Sequence, residues 1–190
     1  MAYNTTTWET DSNTKADANS TNSKFHVYKS LQSQIYTLTA EGSGIFFALG
    51  SDANVSSSSG ASPSHSRRFI WATGGNLTKA YFIAEDWTPN TTDNDVTFKV
   101  YKYRPDGSTN TGDIGILSNW TLINTVSPAS LLAVDRGIIV EFSEEDCTFA
   151  AGDAMAISIT CDEDVTGTSD SINCVFVLKE DWNDIISSNV

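Results

Sequence analysis

The sequence predicts an all-β fold, an antiparallel β-sandwich preceded by an extended N-terminal arm. Short apolar segments separated by polar turns follow one another from residue 24 onward, with almost no helical periodicity. The composition agrees, because charged residues make up only 18% of the chain, and Ser, Thr, Asn and Gly replace the Ala, Leu, Glu and Lys that helices favour. A chain made of strands covers one sheet with another, so a sandwich of the jelly-roll type follows.

The arm comprises residues 1–24, and the sandwich domain is predicted at residues 25–190. The arm consists mostly of Thr, Asn, Ser and Asp, with Tyr3 and Trp8 as its only large apolar residues. This composition is typical of a segment that does not fold alone. We therefore expect neighbouring chains to hold it.

About ten segments of the domain are predicted to be strands. They lie at residues 24–28, 34–38, 44–50, 95–103, 120–126, 137–142, 154–161 and 172–180, with two more inside residues 67–87. Gly74-Gly75-Asn76 predicts a hairpin-like break between those last two strands. Residues 127–135 are the one place where a short helix is allowed.

The stretch "FAAGDAMAISITC" at residues 149–161 contains the clearest strand. Gly152-Asp153 predicts a turn, and beyond it the side chains alternate with period two. One face has Met155, Ile157, Ile159 and Cys161, and the other has Ala154, Ala156, Ser158 and Thr160. A phosphate-binding loop would require a helix here. The two small alanines would let another surface approach closely, such as that of a sister subunit.

The net charge of −13 and the pI near 4.3 argue against nucleic acid as a partner, because binding phosphates requires clustered Lys and Arg. Neither a signal peptide nor an apolar run long enough for a membrane span is recognised, so no membrane partner is expected. Cys147, Cys161 and Cys174 form an odd set without CxxC spacing. They are expected to be reduced, with a single disulfide as the alternative.

No motif for catalysis, cofactor binding or metal binding is recognised. The chain lacks GxSxG and the P-loop and dinucleotide patterns, and neither His26 nor His65 has a second ligand at useful spacing. The acidic clusters at residues 144–146 and 162–164 are expected to be solvated turn charges, with a bound Ca²⁺ as the alternative. We therefore expect no enzyme activity, no cofactor and no metal.

Aromatic residues are the remaining candidates for a binding role. Most of them belong to strand faces and so to the core. Trp87 and Trp120, beside loops rich in Thr and Asn, are the best candidates for exposed aromatic residues, although a core or edge position is the favoured interpretation. Together with Tyr3 and Trp8 of the arm, they are the predicted partner-contact residues.

Three motifs resemble a known group of proteins. "GGNLTKAYFIAEDWTP", "DVTFKVYKYRPDG" and "CTFAAGDAMAISIT", within residues 67–161, are similar to β-sandwich virion proteins of tailed bacteriophages, especially marine ones. The resemblance implies a non-enzymatic, often trimeric protein located in the virion. It carries no catalytic residues.

Combined with the polar arm, the resemblance predicts a capsid decoration (cement) protein. Its expected partners are the major capsid protein and sister subunits in a homotrimer. The alternative is a tail-fibre or knob module that recognises cell-surface glycans. A carbohydrate-binding module of a cellular enzyme is a third, weaker hypothesis.

Overall fold

Ten β-strands form the described part of the chain, numbered β1 to β10 in chain order. The computed structural model describes residues 26–35, 44–49, 62–63, 67–85, 96–105, 113–127, 137–161 and 171–181. The strands are β1 His26–Ile35, β2 Ile45–Phe46, β3 Phe69–Ile70, β4 Gly74–Glu85, β5 Val96–Tyr103, β6 Thr121–Val126, β7 Gly137–Glu141, β8 Thr148–Phe149, β9 Ala154–Cys161 and β10 Ser171–Asp181. The predicted arm and nearly all of the segment at residues 127–135 lie outside the described residues.

The strands form two five-stranded antiparallel sheets. Sheet I has the order β1-β10-β4-β7, with β8 also paired to β4, and sheet II has the order β2-β9-β5-β6, with β3 also paired to β9. Strands from the first half of the chain pair with strands from the second half in reverse order: β1 with β10, β2 with β9, β4 with β7, and β5 with β6. An antiparallel ribbon wound in this way into two facing sheets is a jelly roll. The predicted sandwich is confirmed.

Alternating side chains from both sheets fill the space between them. Phe98 of β5 meets Phe82 of β4 edge to face, with ring centroids 5.6 Å apart. Phe47, which follows β2, meets Phe176 of β10 in the same way at 5.0 Å. All four rings are essentially inaccessible to solvent. Burial of each such side chain contributes on the order of 1.5–3 kcal/mol, so this core holds the two sheets together.

Sheet I corrects the prediction for the start of the domain. Residues 24–28 and 34–38 were expected to belong to separate strands, but β1 runs unbroken from His26 to Ile35. All ten of its residues pair with β10. The polar run between the predicted strands belongs to an edge strand, where Ser30 and Gln32 face solvent without cost.

The predicted hairpin at Gly74-Gly75-Asn76 is wrong. These residues begin β4 and pair with the end of β10. The preceding strand β3 belongs to the other sheet, where it pairs with β9. The chain therefore crosses between the sheets here instead of turning back on itself.

The sandwich has two distinct ends. The connections β1–β2, β4–β5, β6–β7 and β9–β10 all join strand ends on the same side, because Ile35 pairs with Ile172 and Val96 pairs with Cys161 there. At the opposite side, His26 at the start of β1 pairs with Asp181 at the end of β10. Residues 1–25 and 182–190 both join the sandwich at this second side, which we call the arm end.

Candidate interaction surfaces

The predicted partner-contact residues are only partly placed by the structure. Tyr3, Trp8 and Trp87 lie outside the described residues. Trp120 is 7% exposed, so the favoured interpretation, a core or edge position, is confirmed for it and the alternative of an exposed aromatic residue is not. Its indole Nε1 donates a hydrogen bond to the carbonyl oxygen of Ile114 at 2.8 Å, and its ring lies 5.5 Å from that of Tyr103. The side chain cannot stack on an external ligand.

Residues 113–120 lie over the outer face of sheet II, and this packing buries the side chain of Trp120. The turn that starts this segment is held by Asp113, whose carboxylate accepts a hydrogen bond from the backbone N–H of Gly115 and whose carbonyl accepts one from Asn119 Nδ2. A short 3₁₀ helix, Leu117–Asn119, completes the segment. Ile114 and Leu117 pack with Trp120 against the sheet. Part of the outer face of sheet II is thus covered by the chain itself.

This cover also corrects the expectation for the small residues of β9. Ala154 and Ala156 lie on the outer face of sheet II, as the alternation predicted, but they are buried within the chain. They pack in one cluster with Phe46, Tyr103 and Trp120. The small side chains therefore make room for aromatic residues of the same chain and leave no opening there for a sister subunit.

The predicted turn at Gly152-Asp153 is confirmed, and it is fixed by an ion pair that the sequence did not predict. Gly152 has a φ of 85°, which favours glycine. Asp153 is 1% exposed and accepts two hydrogen bonds from Arg104, at 2.7 and 2.8 Å. Its carboxylate also accepts the backbone N–H of Ala150. Arg104 and Asp153 are far apart in sequence, so only the fold brings them together.

These contacts keep Asp153 ionised. Burial alone would raise the pKa of this carboxyl group. The hydrogen bonds from Arg104 and Ala150, together with the positive charges of Arg104 and Lys102, outweigh burial and lower the pKa below its ordinary value. Hydrogen bonding to Asp153 also raises the pKa of Arg104. A carboxylate held in this way stabilises a turn and is not free to exchange protons with a substrate.

The described thiols are equally unreactive. Cys147 and Cys174 are free and buried. Burial and the nearby charge of Asp146 raise the pKa of Cys147 to about 12, against a smaller opposing effect of Lys102. Burial raises the pKa of Cys174 as well. Since the thiolate is the nucleophilic form, neither thiol is activated at neutral pH.

The acidic cluster at residues 144–146 lies in an exposed turn. Glu144 forms an ion pair with Lys179 at 3.0 Å, and Asp146 accepts a hydrogen bond from Asn124. Among the described residues, no three side chains are placed to hold a metal ion. No helix in that part of the chain is long and apolar enough to cross a membrane.

The outer face of sheet I has an apolar centre that no described segment of the chain covers. Its centre is one row of side chains across three strands, Val175, Tyr81 and Ile139, flanked by Ile83. Tyr81, Ile83 and Ile139 are 41%, 50% and 59% exposed. The next row contains Val177, Lys79 and Glu141. Grouped exposed apolar residues of this kind mark interaction surfaces more often than single ones do.

The sequence contained a pattern that could have revealed this face. Three neighbouring strands carry uninterrupted apolar runs, at residues 80–84, 174–178 and 138–140. A strand with one wet face alternates between apolar and polar residues, whereas an unbroken apolar run is typical of a strand covered on both faces. The runs therefore predict strands that are apolar on both faces.

Both ends of the sandwich are acidic, and they differ mainly in how many basic residues accompany the acids. The four connections opposite the arm end span residues 36–43, 86–95, 128–136 and 162–170. Their acidic residues are Glu41, Asp86, Asp93, Asp95, Asp135, Asp162, Glu163, Asp164 and Asp170, and their only basic residue is Arg136. We call this side the acidic end. By contrast, the described acids near the arm end include several that contact cations, such as Glu144 and Asp153.

No model of a known protein family matches the chain, and no curated protein matches it. Several solved virus structures are distantly similar. A chain of the infectious bursal disease virus Gx strain is 10% identical over 84% of this chain, with a TM-score of 0.38. This chain spans about a third (33%) of that viral chain. A chain of turnip yellow mosaic virus is 14% identical, with coverage of 84% of this chain and 94% of that chain and a TM-score of 0.28. At these TM-scores the similarities identify neither a family nor a role.

Proposed function

We propose that this chain is a non-enzymatic structural protein of a virus particle, and specifically a decoration protein that binds the outside of a phage head. The observation that carries the proposal is the polarity of the sandwich. Residues 1–25 and 182–190 join it at one end, and four connections with nine acids and a single base lie at the other. This arrangement suits a protein that attaches to a lattice by its arm end and presents its acidic end to solvent.

The arm would attach the protein by shallow contacts repeated over many copies. Its polar side chains would supply hydrogen bonds, and Tyr3 and Trp8 would supply apolar contacts. Each contact can be weak, because linked contacts raise the effective concentration of the remaining ones. The partners in this proposal are the major capsid protein and sister subunits. Mutual repulsion of the outward acidic ends would keep decorated particles apart.

The described residues support a structural role in a second way. The thiols of Cys147 and Cys174 are protonated at neutral pH, and the buried carboxylate of Asp153 is already engaged by Arg104. Groups that could serve in catalysis are therefore used to maintain the fold. The resemblance of residues 67–161 to phage virion proteins points in the same direction.

Binding to heads assembled from the major capsid protein tests the proposal. The full chain is compared with residues 25–190 by co-sedimentation, and circular dichroism verifies that the shorter chain folds. We expect the full chain to sediment with the heads and the shorter chain to stay in solution. A Tyr3→Ala/Trp8→Ala variant should bind more weakly than a Thr5→Ala/Thr6→Ala control. Undiminished binding by residues 25–190 would refute the role of the arm.

The glycan-binding alternative is weakened by the burial of Trp120, one of the two tryptophans on which it depended. Trp87 remains available to that hypothesis. A glycan array comparing the wild type with Trp87→Ala separates the two functions. We expect no glycan signal from either protein, whereas a signal lost in Trp87→Ala would favour the receptor-binding module.

A further inference from the structure

We propose that the outer face of sheet I binds the same face of a second copy of this chain, so that the protein forms a two-fold symmetric pair. This inference gives a partner to a face that the proposed function leaves unused. It holds whether or not the protein binds a capsid.

The first argument is the contrast between the two sheets. Residues 113–120 cover the part of the outer face of sheet II around Ala154 and Ala156, although Ile70 and Leu122 on the same face stay exposed. On sheet I, the outer side chains Tyr81, Ile83 and Ile139 remain open to solvent. The strands that carry them have the unbroken apolar runs of strands covered on both sides. Within the part of the chain that the structure describes, no segment covers this face, and in our proposal a second copy does so.

The second argument is the charge of this face. Copies of a chain with a net charge of −13 repel each other over most of their surface. By strand alternation the charged positions on the outer face of sheet I are Lys79, Lys179 and Glu141, with Glu85 and Asp181 at its two ends, and Lys179 is already paired with Glu144. Two copies can therefore approach through this face without strong repulsion between acids.

The third argument is that the face is complementary to itself. Lys79 of β4 pairs in register with Glu141 of β7, and Tyr81 pairs with Ile139 two residues further along. A two-fold axis that runs parallel to the strands, midway between β4 and β7, places β4 of one copy over β7 of the other. Each Lys79 then lies over Glu141 of the second copy, and each Tyr81 lies over its Ile139. An isologous interface requires this kind of pattern.

Both charged groups are available for such contacts. Lys79 Nζ lies 5.7 Å from the centre of the Tyr81 ring, and the side chain of Glu141 is exposed. Neither forms an ion pair within the part of the chain that the structure describes. In the pair, each would gain a partner of opposite charge at the rim of an apolar centre, where charges set register and specificity.

Sedimentation equilibrium of the full chain and of single charge reversals tests the proposal. We expect the wild type to form dimers and Lys79→Glu and Glu141→Lys each to raise the dissociation constant by about tenfold or more, since each places two like-charge contacts in the interface. An equimolar mixture of the two variants should form heterodimers, because both contacts then join opposite charges. Lys99→Glu on sheet II and Glu145→Lys in the exposed turn make the same charge changes elsewhere. Each should change the dissociation constant of the dimer by less than about twofold relative to the wild type.

Each other result counts against the pair. A monomer at every concentration up to the solubility limit overturns it, as does a dimer indifferent to the reversals at positions 79 and 141. A trimer also overturns it, and would agree with the homotrimer that the resemblance to phage proteins implies. Failure of the mixture to recover association would show that Lys79 and Glu141 do not meet between copies. None of these results bears on capsid binding, which the truncation at residue 25 tests separately.

Discussion

At the scale of single residues, Asp153 shows how a buried charge can be structural. Its carboxylate holds the turn before β9 by accepting hydrogen bonds from Arg104 and from the backbone of Ala150. Its backbone groups belong to the same junction, because the carbonyl of Asp153 accepts the N–H of Trp71 at 2.9 Å. The turn therefore connects the start of β9 with the end of β3.

Replacement of Asp153 by Asn should lower the free energy of unfolding at pH 7 by about 1.5–3 kcal/mol, because a neutral amide cannot accept both hydrogen bonds of the guanidinium. The pKa of Asp153 in the folded protein lies below the value of about 3.9 expected in the unfolded chain. Its contribution to stability is complete above that value and is lost as the pH falls towards the folded pKa.

Urea denaturation of the wild type and Asp153→Asn at a series of pH values measures this effect. The difference between the two should be largest near neutrality and shrink below about pH 4. Glu145→Gln, in an exposed turn, serves as the control and should change stability by less than about 0.5 kcal/mol. A difference between wild type and Asp153→Asn that stays constant down to the lowest pH would contradict the ion-pair explanation.

Two adjacent glycines have different structural requirements. A Cβ on Gly75 would collide with the backbone carbonyl of Lys179 and with the buried ring of Trp71. A Cβ on Gly74 would meet only the carbonyl oxygen of Phe149, at an ordinary 3.4 Å. The pair looks like a turn in the sequence, but Gly75 is required because β10 and Trp71 approach β4 closely.

Gly75→Ala should therefore destabilise the protein by about 1–3 kcal/mol or more, since the backbone of β4 must move to relieve the overlap. Gly74→Ala is the matched control, and its free energy of unfolding should lie within about 1 kcal/mol of that of the wild type. Thermal unfolding of both variants makes the comparison. Equal effects of the two substitutions would show that chain flexibility, rather than close packing, decides this site.

At the scale of elements, residues 113–120 act as a cover for sheet II. Trp120 is the anchor of this segment because its ring packs on Tyr103 and its indole bonds to Ile114. The exposed neighbour Leu122 on β6 has no comparable role, since it is 48% exposed.

Trp120→Ala should cost about 3–5 kcal/mol of stability, as expected for the removal of a buried tryptophan. Leu122→Ala should cost less than about 1 kcal/mol, because its side chain is half in water already. Chemical denaturation measures the free energy of unfolding of both variants. In Trp120→Ala, amide hydrogen exchange should also become faster in residues 113–119, while exchange in the strands of sheet II stays slow. Uniform exchange across the sheet would contradict a separate cover.

Strand faces were predictable from the sequence, whereas tertiary partners were not. The alternation in β9 placed Met155 and Ile157 in the core and Ala154 on the opposite face, as observed. It could not show that Trp120 covers Ala154, because that contact depends on how the segment before β6 lies over the sheet. The hairpin expected at Gly74 failed for a related reason: glycines that permit close packing between elements have the same sequence pattern as glycines in a turn.

At the scale of the whole molecule, the jelly-roll topology creates the polarity on which the proposed function depends. Strands that pair in reverse order place four of the connections between the sheets at one end and the start of β1 and the end of β10 at the other. The sequence alone revealed the overall acidity. It could not show that so many acids are in connections at one end, because that requires knowledge of which strands are neighbours.

The same limit applies to the candidate surfaces. The arm is predicted from the composition of residues 1–24 alone, and these residues lie outside the described part of the chain. The outer face of sheet I was not recognised, since Tyr81, Ile139 and Val175 are distant in sequence and meet only through pairing of β4 with β7 and β10. Long-range pairing of this kind is what a single sequence does not reveal.

Electron cryomicroscopy of phage heads incubated with the full chain tests the central claim most directly. We predict sandwich-shaped density on the outside of the head, with His26 and Asp181 facing the shell and the acidic end facing solvent. Continuous density from the start of β1 should extend along the capsid surface as the arm. Bare heads, or a sandwich bound with its acidic end towards the shell, would contradict the account.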